Sequence, residues 1–215
     1  MSLIYRITRL GLLIIFKIFF RLEVIGSENV SEKGGVIVVT NHVSYLDPLV
    51  IGCAIKKRQP RFMARSGLFK KPLVGTFVKT FAFPVDRDNP QPSTIKETVK
   101  QLKNGEIVVM FPEGGRSRDG SLRDAKRGTG MIAAMSKAAI VPAFIEGTDK
   151  ALPAGAKCIR LSKVRVYFGE PIEIKGTETG KDFQERIGSD VMEAIRDLKN
   201  KMSLRGGRND RRSNL

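Results

Sequence analysis

Histidine and cysteine are scarce in this sequence. Its 215 residues include one histidine, His42, and two cysteines, Cys53 and Cys158. A Cys/His zinc site needs four such ligands at short spacings, so these residues exclude one. The chain also has no GxSxG nucleophile elbow, and neither cysteine has a second histidine to activate it. Any chemistry is therefore expected to proceed without a covalent intermediate on the protein.

Acidic residues are in the minority. Lys and Arg total 38 against 22 for Asp and Glu, which gives a formal net charge of +16 and a pI of about 10.1. Such a basic surface attracts anionic partners, and nucleic acid, anionic lipid headgroups and an acidic carrier protein all qualify. With 41% hydrophobic residues, the chain is long enough for one domain with a substantial core and too short for two large ones.

Long hydrophobic runs are also missing. The most apolar segment, MSLIYRITRLGLLIIFKIFFRLEV, is interrupted by Lys17, and no small-residue cleavage site follows it. Its uninterrupted apolar core is shorter than the ~20 residues that a membrane span needs. The segment therefore predicts neither a span nor a cleaved signal peptide.

Residues 1 to 22 fit an interfacial helix instead. Their four basic residues fall within one arc of about 120° on a helical wheel and leave Leu, Ile and Phe on the rest; they are Arg6, Arg9, Lys17 and Arg21. Basic side chains meet anionic headgroups while an apolar face enters the acyl boundary. We therefore predict an N-terminal amphipathic membrane helix with these residues as its membrane contacts. A helix packed on the domain's own core is the alternative.

Six short apolar runs predict the strands of an α/β domain. They are VIVVT (36 to 40), RFMA (61 to 64), FAFPV (81 to 85), IVVMF (107 to 111), IVPAFI (140 to 145) and VRVYF (164 to 168). Continuous apolar runs indicate strands buried on both faces. Helical patterns separate them, so we predict a single α/β domain with a mixed, largely parallel central sheet flanked by helices.

Helices are predicted at 47 to 57, 72 to 80, 94 to 104, 122 to 138 and 181 to 202. Thr94 and Glu97 have the spacing of a capping box. The domain is therefore placed at residues 23 to 202. The remaining residues, 203 to 215, are basic and have little to bury, so a disordered tail is expected.

Two polar motifs are predicted to face one crevice. In an open α/β sheet the ligand crevice lies beyond the carboxyl ends of the strands. Thr40, Asn41 and His42 leave the first predicted strand at that edge, and FPEGGRSRDG leaves the strand IVVMF at what should be the same edge.

His42 and Asp47 form the first candidate pair. Five positions is not a same-face spacing on a regular helix, so contact requires His42 to lie in the turn before the helix. Asp47 would then accept a hydrogen bond from Nδ1, which leaves Nε2 free to take a proton from a hydroxyl. A purely structural pair is the alternative.

The second motif is FPEGGRS. Gly114 and Gly115 allow the backbone to approach a ligand closely, Arg116 can bind a phosphate through two hydrogen bonds, and Glu113 can orient a polar group of a substrate. The alternative is a structural turn with a surface arginine.

Four blocks of the sequence together resemble a known family. NHVSYLDP, FAFPVDRDN, FPEGGRS and IVPAFIEGT, in this order, are similar to the four blocks of the glycerolipid acyltransferase superfamily, best represented by 1-acyl-sn-glycerol-3-phosphate acyltransferases. The resemblance covers roughly residues 20 to 175. It implies a glycerol-3-phosphate acyltransferase-like fold, His42 as the general base and Asp47 as its partner. It also implies that Arg87, Glu113, Gly114 and Arg116 bind the acceptor's phosphate.

The reaction implied by the resemblance is acyl transfer. His42 deprotonates the sn-2 hydroxyl of a lysophospholipid, and the oxygen attacks the thioester of acyl-ACP or acyl-CoA. With 1-acyl-glycerol-3-phosphate as acceptor the product is phosphatidic acid, made in phospholipid biosynthesis, and no metal or cofactor is required. Backbone N–H groups near the FPEGG turn are candidates to stabilise the oxyanion. The enzyme would lie on the cytoplasmic face of a phospholipid membrane, peripheral or monotopic through residues 1 to 22.

The sequence departs from the family pattern at three positions. Gly115 replaces the usual Thr, Phe81 lies where a Gly commonly precedes the second block, and Gly67 lies where many members have Glu. Another lysolipid, or glycerol-3-phosphate, is therefore an alternative acceptor.

A protein of another class, a non-catalytic module that binds anionic lipid or nucleic acid, is a further alternative. Only three tyrosines and no nucleic-acid-binding motif argue against a nucleic-acid partner.

Overall fold

The computed structural model describes residues 2–72, 74–85, 92–156, 158–174, 178 and 180–212, with side chains except at 74, 77 and 204–212. The strands of this part of the chain are β1 (Glu23–Ile25), β2 (Val36–Thr40), β3 (Pro60–Arg65), β4 (Ala82–Val85), β5 (Ile107–Met110), β6 (Ala139–Glu146) and β7 (Arg165–Phe168). Its α-helices are α1 (Leu3–Phe20), α2 (Asp47–Ala54), α3 (Val74–Lys79), α4 (Pro92–Lys103), α5 (Arg127–Ser136), α6 (Thr148–Ala151) and α7 (Lys181–Arg212).

The sheet is mixed and largely parallel, which confirms the predicted fold class. Its strand order is β1-β7-β6-β2-β5-β3-β4. The β6 and β7 strands pair antiparallel, and the other neighbouring strands of this sheet pair in parallel. Because β2 lies between β5 and β6, the loops that follow these three strands leave one edge of the sheet side by side.

Apolar strand residues pack on both faces of the sheet. Val36 and Val38 of β2 belong to a hydrophobic cluster with α1 and α2, whereas Ile37 and Val39 belong to a cluster with α4, α5 and α7. Every residue of β2 and β5 is buried, as the continuous apolar runs predicted. Full burial of a side chain of this size stabilises the fold by about 1.5 to 3 kcal/mol. The loops at the sheet edge therefore stand on a rigid base.

Several helix boundaries differ from the predicted ones. Helix α2 ends at Ala54 rather than at 57, and α5 begins at Arg127 rather than at 122. The predicted capping box is wrong because α4 begins at Pro92, which places Thr94 inside the helix. The Thr94 carbonyl accepts a hydrogen bond from the Thr98 hydroxyl at 2.8 Å.

The sequence analysis missed β1, whose three residues are too few to show a pattern. This strand pairs in parallel with β7. Glu23 also accepts charged hydrogen bonds from Lys163 at 2.6 Å and from Arg165 at 3.1 Å. The hydrogen bond from Lys163, with a smaller one from Arg165, lowers the pKa of Glu23.

Helix α7 extends beyond its predicted end at Met202. Its backbone is helical to Arg212, ten residues past that end and into the segment predicted to be a tail. Once Ile187, Val191 and Ile195 fix the helix on the core, each added residue gains a backbone hydrogen bond without needing apolar surface to bury. Residues 213–215 lie outside the described residues.

Helix α1 packs one face on the domain and leaves another apolar face exposed. Tyr5, Phe16 and Phe20 are buried, and the Tyr5 hydroxyl donates to the Gly52 carbonyl at 3.0 Å. The exposed side chains, which we call the α1 apolar face, are Leu3, Ile4, Ile7, Leu10, Ile14, Ile15, Ile18 and Phe19. Among the described residues, no helix is both long enough and apolar enough to cross a membrane.

The basic residues of α1 do not share one surface. Arg6, Lys17 and Arg21 are exposed. Arg9, one turn after Tyr5, is half-buried and donates to the Cys53 carbonyl at 2.9 Å. Arg9 thus takes part in the contact between α1 and α2, and the membrane role predicted for the four basic residues stays a prediction.

Candidate active site

Three loops meet at the carboxyl edge of the sheet. Residues 41–46 follow β2, residues 111–126 follow β5, and residues 147–152 follow β6. The loops are tied to one another: the Ser117 amide donates to the His42 carbonyl at 2.7 Å, and the Ser44 hydroxyl donates to the Leu152 carbonyl at 2.7 Å. The predicted meeting of the first and third blocks is therefore present, and the fourth block joins them.

His42 and Asp47 are in contact. The distance from His42 Nδ1 to Asp47 Oδ2 is 2.8 Å. His42 lies in the loop and Asp47 is the first residue of α2, followed by Pro48, which suits the first turn of a helix. This arrangement explains how a spacing of five brings the two side chains together.

The Asp47 carboxylate is fully buried and held by several donors. Besides His42, the amides of Val43 and Ser44 donate to Oδ2 at 2.7 and 2.8 Å, and the Thr148 hydroxyl donates to Oδ1 at 2.6 Å. Buried charge is tolerated where such hydrogen bonds replace water. A carboxylate held in this way accepts the Nδ1 proton of His42 and leaves the lone pair on Nε2.

The side chain of His42 is 8% exposed and stacks on Phe111. The ring centroids are 4.0 Å apart and the planes are inclined by 22°. Phe111 and Asp47 thus fix the ring in position and orientation. The arrangement suits a general base.

Glu113 braces the loop that carries His42. Its Oε1 accepts from the His42 amide at 3.2 Å, and its Oε2 accepts from the amide and Nε of Arg123, each at 3.4 Å. Its side chain is fully buried. Both oxygens therefore accept from protein donors, so Glu113 shapes the site; its predicted contact with a substrate stays a prediction.

Gly114 and Gly115 have different structural requirements. Gly114 has φ +71°, and a Cβ there would lie 2.6 Å from Cδ and Cε of Lys126. Gly115 lacks such a restriction, since a Cβ there would meet only Arg123 Nη2, at 3.9 Å. The Lys126 side chain could move aside, but the positive φ favours glycine at 114. The Gly115 position has room for the Thr of the family pattern.

Arg116 stacks on Tyr45. Its Cζ lies 3.5 Å from the centroid of the Tyr45 ring. Its Nη1 is buried and has no hydrogen-bond partner among the described residues. A buried N–H group without an acceptor costs free energy that an anionic ligand would recover. Arg87, the other predicted phosphate ligand, lies outside the described residues.

The rest of the FPEGGRSRDG loop is closed by Asp119. Its Oδ1 accepts from the hydroxyls of Ser117 at 2.8 Å and Ser121 at 2.7 Å. The hydrogen bonds from Ser121 and then Ser117 hold the pKa of Asp119 below its usual range. Ser117, one of the two donors, directly follows Arg116.

Comparison with known proteins agrees with this geometry. A protein-family model described as Acyltransferase matches residues 21–146. The chain belongs to the acyltransferase family. It is 36% identical over 170 residues to the 1-acyl-sn-glycerol-3-phosphate acyltransferase of Bacillus subtilis (strain 168), covering 78% of this chain and 82% of that one. It is 35% identical over 150 residues to the Streptococcus pneumoniae enzyme of the same name, covering 68% of this chain and 53% of that one.

A solved acyltransferase has the same fold. The crystal structure of the 1-acyl-sn-glycerophosphate (LPA) acyltransferase of Thermotoga maritima aligns with a TM-score of 0.70 and 27% identity. The alignment covers 89% of this chain and 81% of the other. The family membership that the four blocks predicted is confirmed.

Sequence reasoning missed two residues of this site. Thr148 donates to Asp47, and Tyr45 lies under Arg116. The edge rule that located His42 would also have pointed to Thr148, because it follows β6 in IEGT. Tyr45 lies inside the first block, but its stacking partner is 71 positions away and no local pattern shows it.

Proposed function

We propose that this acyltransferase moves a fatty acyl group from a thioester donor to the sn-2 hydroxyl of 1-acyl-glycerol-3-phosphate, forming phosphatidic acid. One observation carries the proposal. A buried histidine, oriented by Asp47 at 2.8 Å, is bound through its own backbone to the loop that holds Arg116, a cation with an unused N–H group. An acceptor that carries both a hydroxyl and a phosphate needs a base for its hydroxyl and a cation for its phosphate.

The proposed reaction is a direct transfer. Nε2 of His42 takes the proton of the sn-2 hydroxyl as its oxygen attacks the carbonyl carbon of the thioester. The tetrahedral intermediate then collapses, the C–S bond breaks, and the imidazolium returns its proton to the leaving thiolate. Asp47 stabilises the imidazolium while it exists.

Oxyanion stabilisation is assigned to the turn after β5. The Gly114 amide is already engaged, since it donates to the Phe111 carbonyl at 3.0 Å. The amides of Gly115 and Arg116 make no hydrogen bond within the described ranges. We assign them as the candidate donors to the developing oxyanion.

Two further features suit a lysophospholipid. An apolar pocket between α1 and α2, which includes Leu12, Pro48, Leu49, Phe62 and Phe81, begins directly after Asp47, and we propose that its lining contacts part of the acyl chain. Arg116 is proposed to bind the phosphate together with Arg87.

The α1 apolar face is proposed to enter the lipid surface. Its exposed Leu, Ile and Phe side chains would lie at the acyl boundary, and Arg6, Lys17 and Arg21 would meet anionic headgroups. We further propose that the enzyme lies on the cytoplasmic face of the membrane, where acyl-ACP or acyl-CoA would reach its basic surface. The net charge of +16 suits either donor.

A substrate panel tests the proposal. The purified chain is incubated with acyl-ACP or acyl-CoA and with 1-acyl-glycerol-3-phosphate, a lysophosphatidylcholine or glycerol-3-phosphate, and products are identified by mass. Phosphatidic acid as the dominant product is expected. Preference for either other acceptor would reassign the substrate, and no acyl transfer with either donor would contradict the proposal.

A further inference from the structure

Residues 145–152, which begin in the fourth block, are bound to residues 41–47 at three points. The Asn41 side chain accepts from the Ile145 amide at 2.8 Å and donates to the Ile145 carbonyl at 3.0 Å, which continues the β2 and β6 pairing beyond Thr40. The Ser44 hydroxyl donates to the Leu152 carbonyl. Between these two fastenings, Thr148 donates to Asp47. The first and fourth blocks therefore form one unit around the carboxylate.

The backbone fixes the position of Thr148. The preceding residue, Gly147, has φ +88°, and a Cβ there would lie 2.0 Å from the Lys163 carbonyl oxygen. Only glycine fits this close approach. The turn delivers Thr148 to the first position of α6, where it is fully buried.

The donors to Asp47 are unequally divided between its two oxygens. Oδ2 receives three hydrogen bonds, from His42 and from the amides of Val43 and Ser44. Oδ1 receives one, from Thr148. Without that hydroxyl, Oδ1 would be a buried charged oxygen with no donor, and the carboxylate would gain by rotating to share the donors of Oδ2. Such rotation would move Oδ2 out of line with the N–H group at Nδ1 of His42.

We infer that Thr148 is a positioning residue for the reaction, acting on His42 through Asp47. Its hydroxyl fixes the plane of the carboxylate, so that Oδ2 faces Nδ1 and Nε2 faces the crevice. Thr148 does not touch the substrate in this role. The inference rests on the proposed function only for its kinetic test.

The experiment compares Thr148→Val with Thr148→Ser and with Thr98→Val. Valine keeps the shape and removes the hydroxyl, and serine keeps the hydroxyl. Thr98 is the matched control, since it is equally buried and its hydroxyl donates to a carbonyl of its own helix. Thr148→Val should lower kcat by roughly tenfold, which corresponds to about 1.4 kcal/mol, and leave the acceptor KM within about twofold. Thr148→Ser and Thr98→Val should stay close to the unmodified chain.

A spectroscopic readout does not depend on the reaction. His42 is the one histidine of the chain, so its imidazole NMR signals need no assignment. Thr148→Val should move the Nδ1–H signal, whereas Thr98→Val should not. Should Thr148→Val fail to fold, Thr148→Cys, with a weaker donor of similar size, takes its place with the same expectations.

Two results would overturn the inference: an unchanged imidazole spectrum in Thr148→Val, or a loss of activity that serine does not restore. A chain that performs no acyl transfer would contradict the proposed function, and the imidazole spectrum would still test the role of Thr148.

Discussion

Replacing Tyr45 by leucine removes the aromatic surface on which the Arg116 guanidinium lies. The Cζ of Arg116 is 3.5 Å from the ring centroid, close enough for a full cation–π contact, but Tyr45 as a residue is 59% exposed. A contact at such a site is worth about 1 kcal/mol, between the values for exposed and desolvated pairs. If Arg116 binds the acceptor phosphate, Tyr45→Leu should raise the acceptor KM about fivefold. The thioester KM and kcat should change little.

Steady-state kinetics with each substrate varied in turn measures this effect. Tyr45→Phe keeps the ring and should behave like the unmodified chain, so it is the matched control. Arg116→Lys should raise the acceptor KM further, because a point charge replaces a planar fork. The double substitution of Tyr45→Leu with Arg116→Lys should be less than additive, since one effect acts through the other. Additive effects, or equal losses with leucine and phenylalanine, would refute the coupling.

Three other predictions follow from the structure. Asp47→Asn should reduce kcat by roughly 10²- to 10⁴-fold with the acceptor KM nearly unchanged, because an amide cannot stabilise the imidazolium; a raised KM with normal kcat would make Asp47 a binding residue. The double variant Ile7→Glu with Ile14→Glu should no longer float with anionic vesicles, and its circular dichroism spectrum should be unchanged. Leu161→Glu, which also replaces an exposed apolar residue, is the control and should float normally. If both variants float, the membrane contact lies elsewhere. The pKa of Glu23 is lowered in the folded state, so its ionised carboxylate stabilises the unmodified chain at neutral pH, and this stabilisation is lost as the pH falls below about 4.5. Glu23→Gln should therefore lower the melting temperature at neutral pH. Equal melting temperatures of the two proteins at neutral pH would contradict this.

Local sequence patterns could predict the residues whose contacts are made with residues close to them in the sequence. The runs at β2 and β5 predicted strands buried on both faces, and these strands are buried throughout. His42 and Asp47 could be paired because the turn before a helix shortens their spacing. Their contact at 2.8 Å follows from a loop and a helix start that lie within six residues.

The partners of those residues depend on strand order, which local patterns do not encode. Glu113 reaches His42 and Thr148 reaches Asp47 because β5 and β6 flank β2. Sequence reasoning therefore did not foresee that Glu113 would bind the His42 loop, and it overlooked Thr148. For the same reason the helical wheel could not show that Arg9 would find the Cys53 carbonyl.

The most direct test of the account is the rate of phosphatidic acid formation by the unmodified chain and by His42→Ala. Both are assayed with 1-acyl-glycerol-3-phosphate and the preferred thioester, and the product is quantified by mass. Circular dichroism and binding of 1-acyl-glycerol-3-phosphate should be nearly the same for the two proteins, because other residues hold the loop that carries the imidazole. The account predicts that His42→Ala lowers the rate by about 10²- to 10⁴-fold. A folded His42→Ala protein that works within a few-fold of the unmodified chain would contradict it.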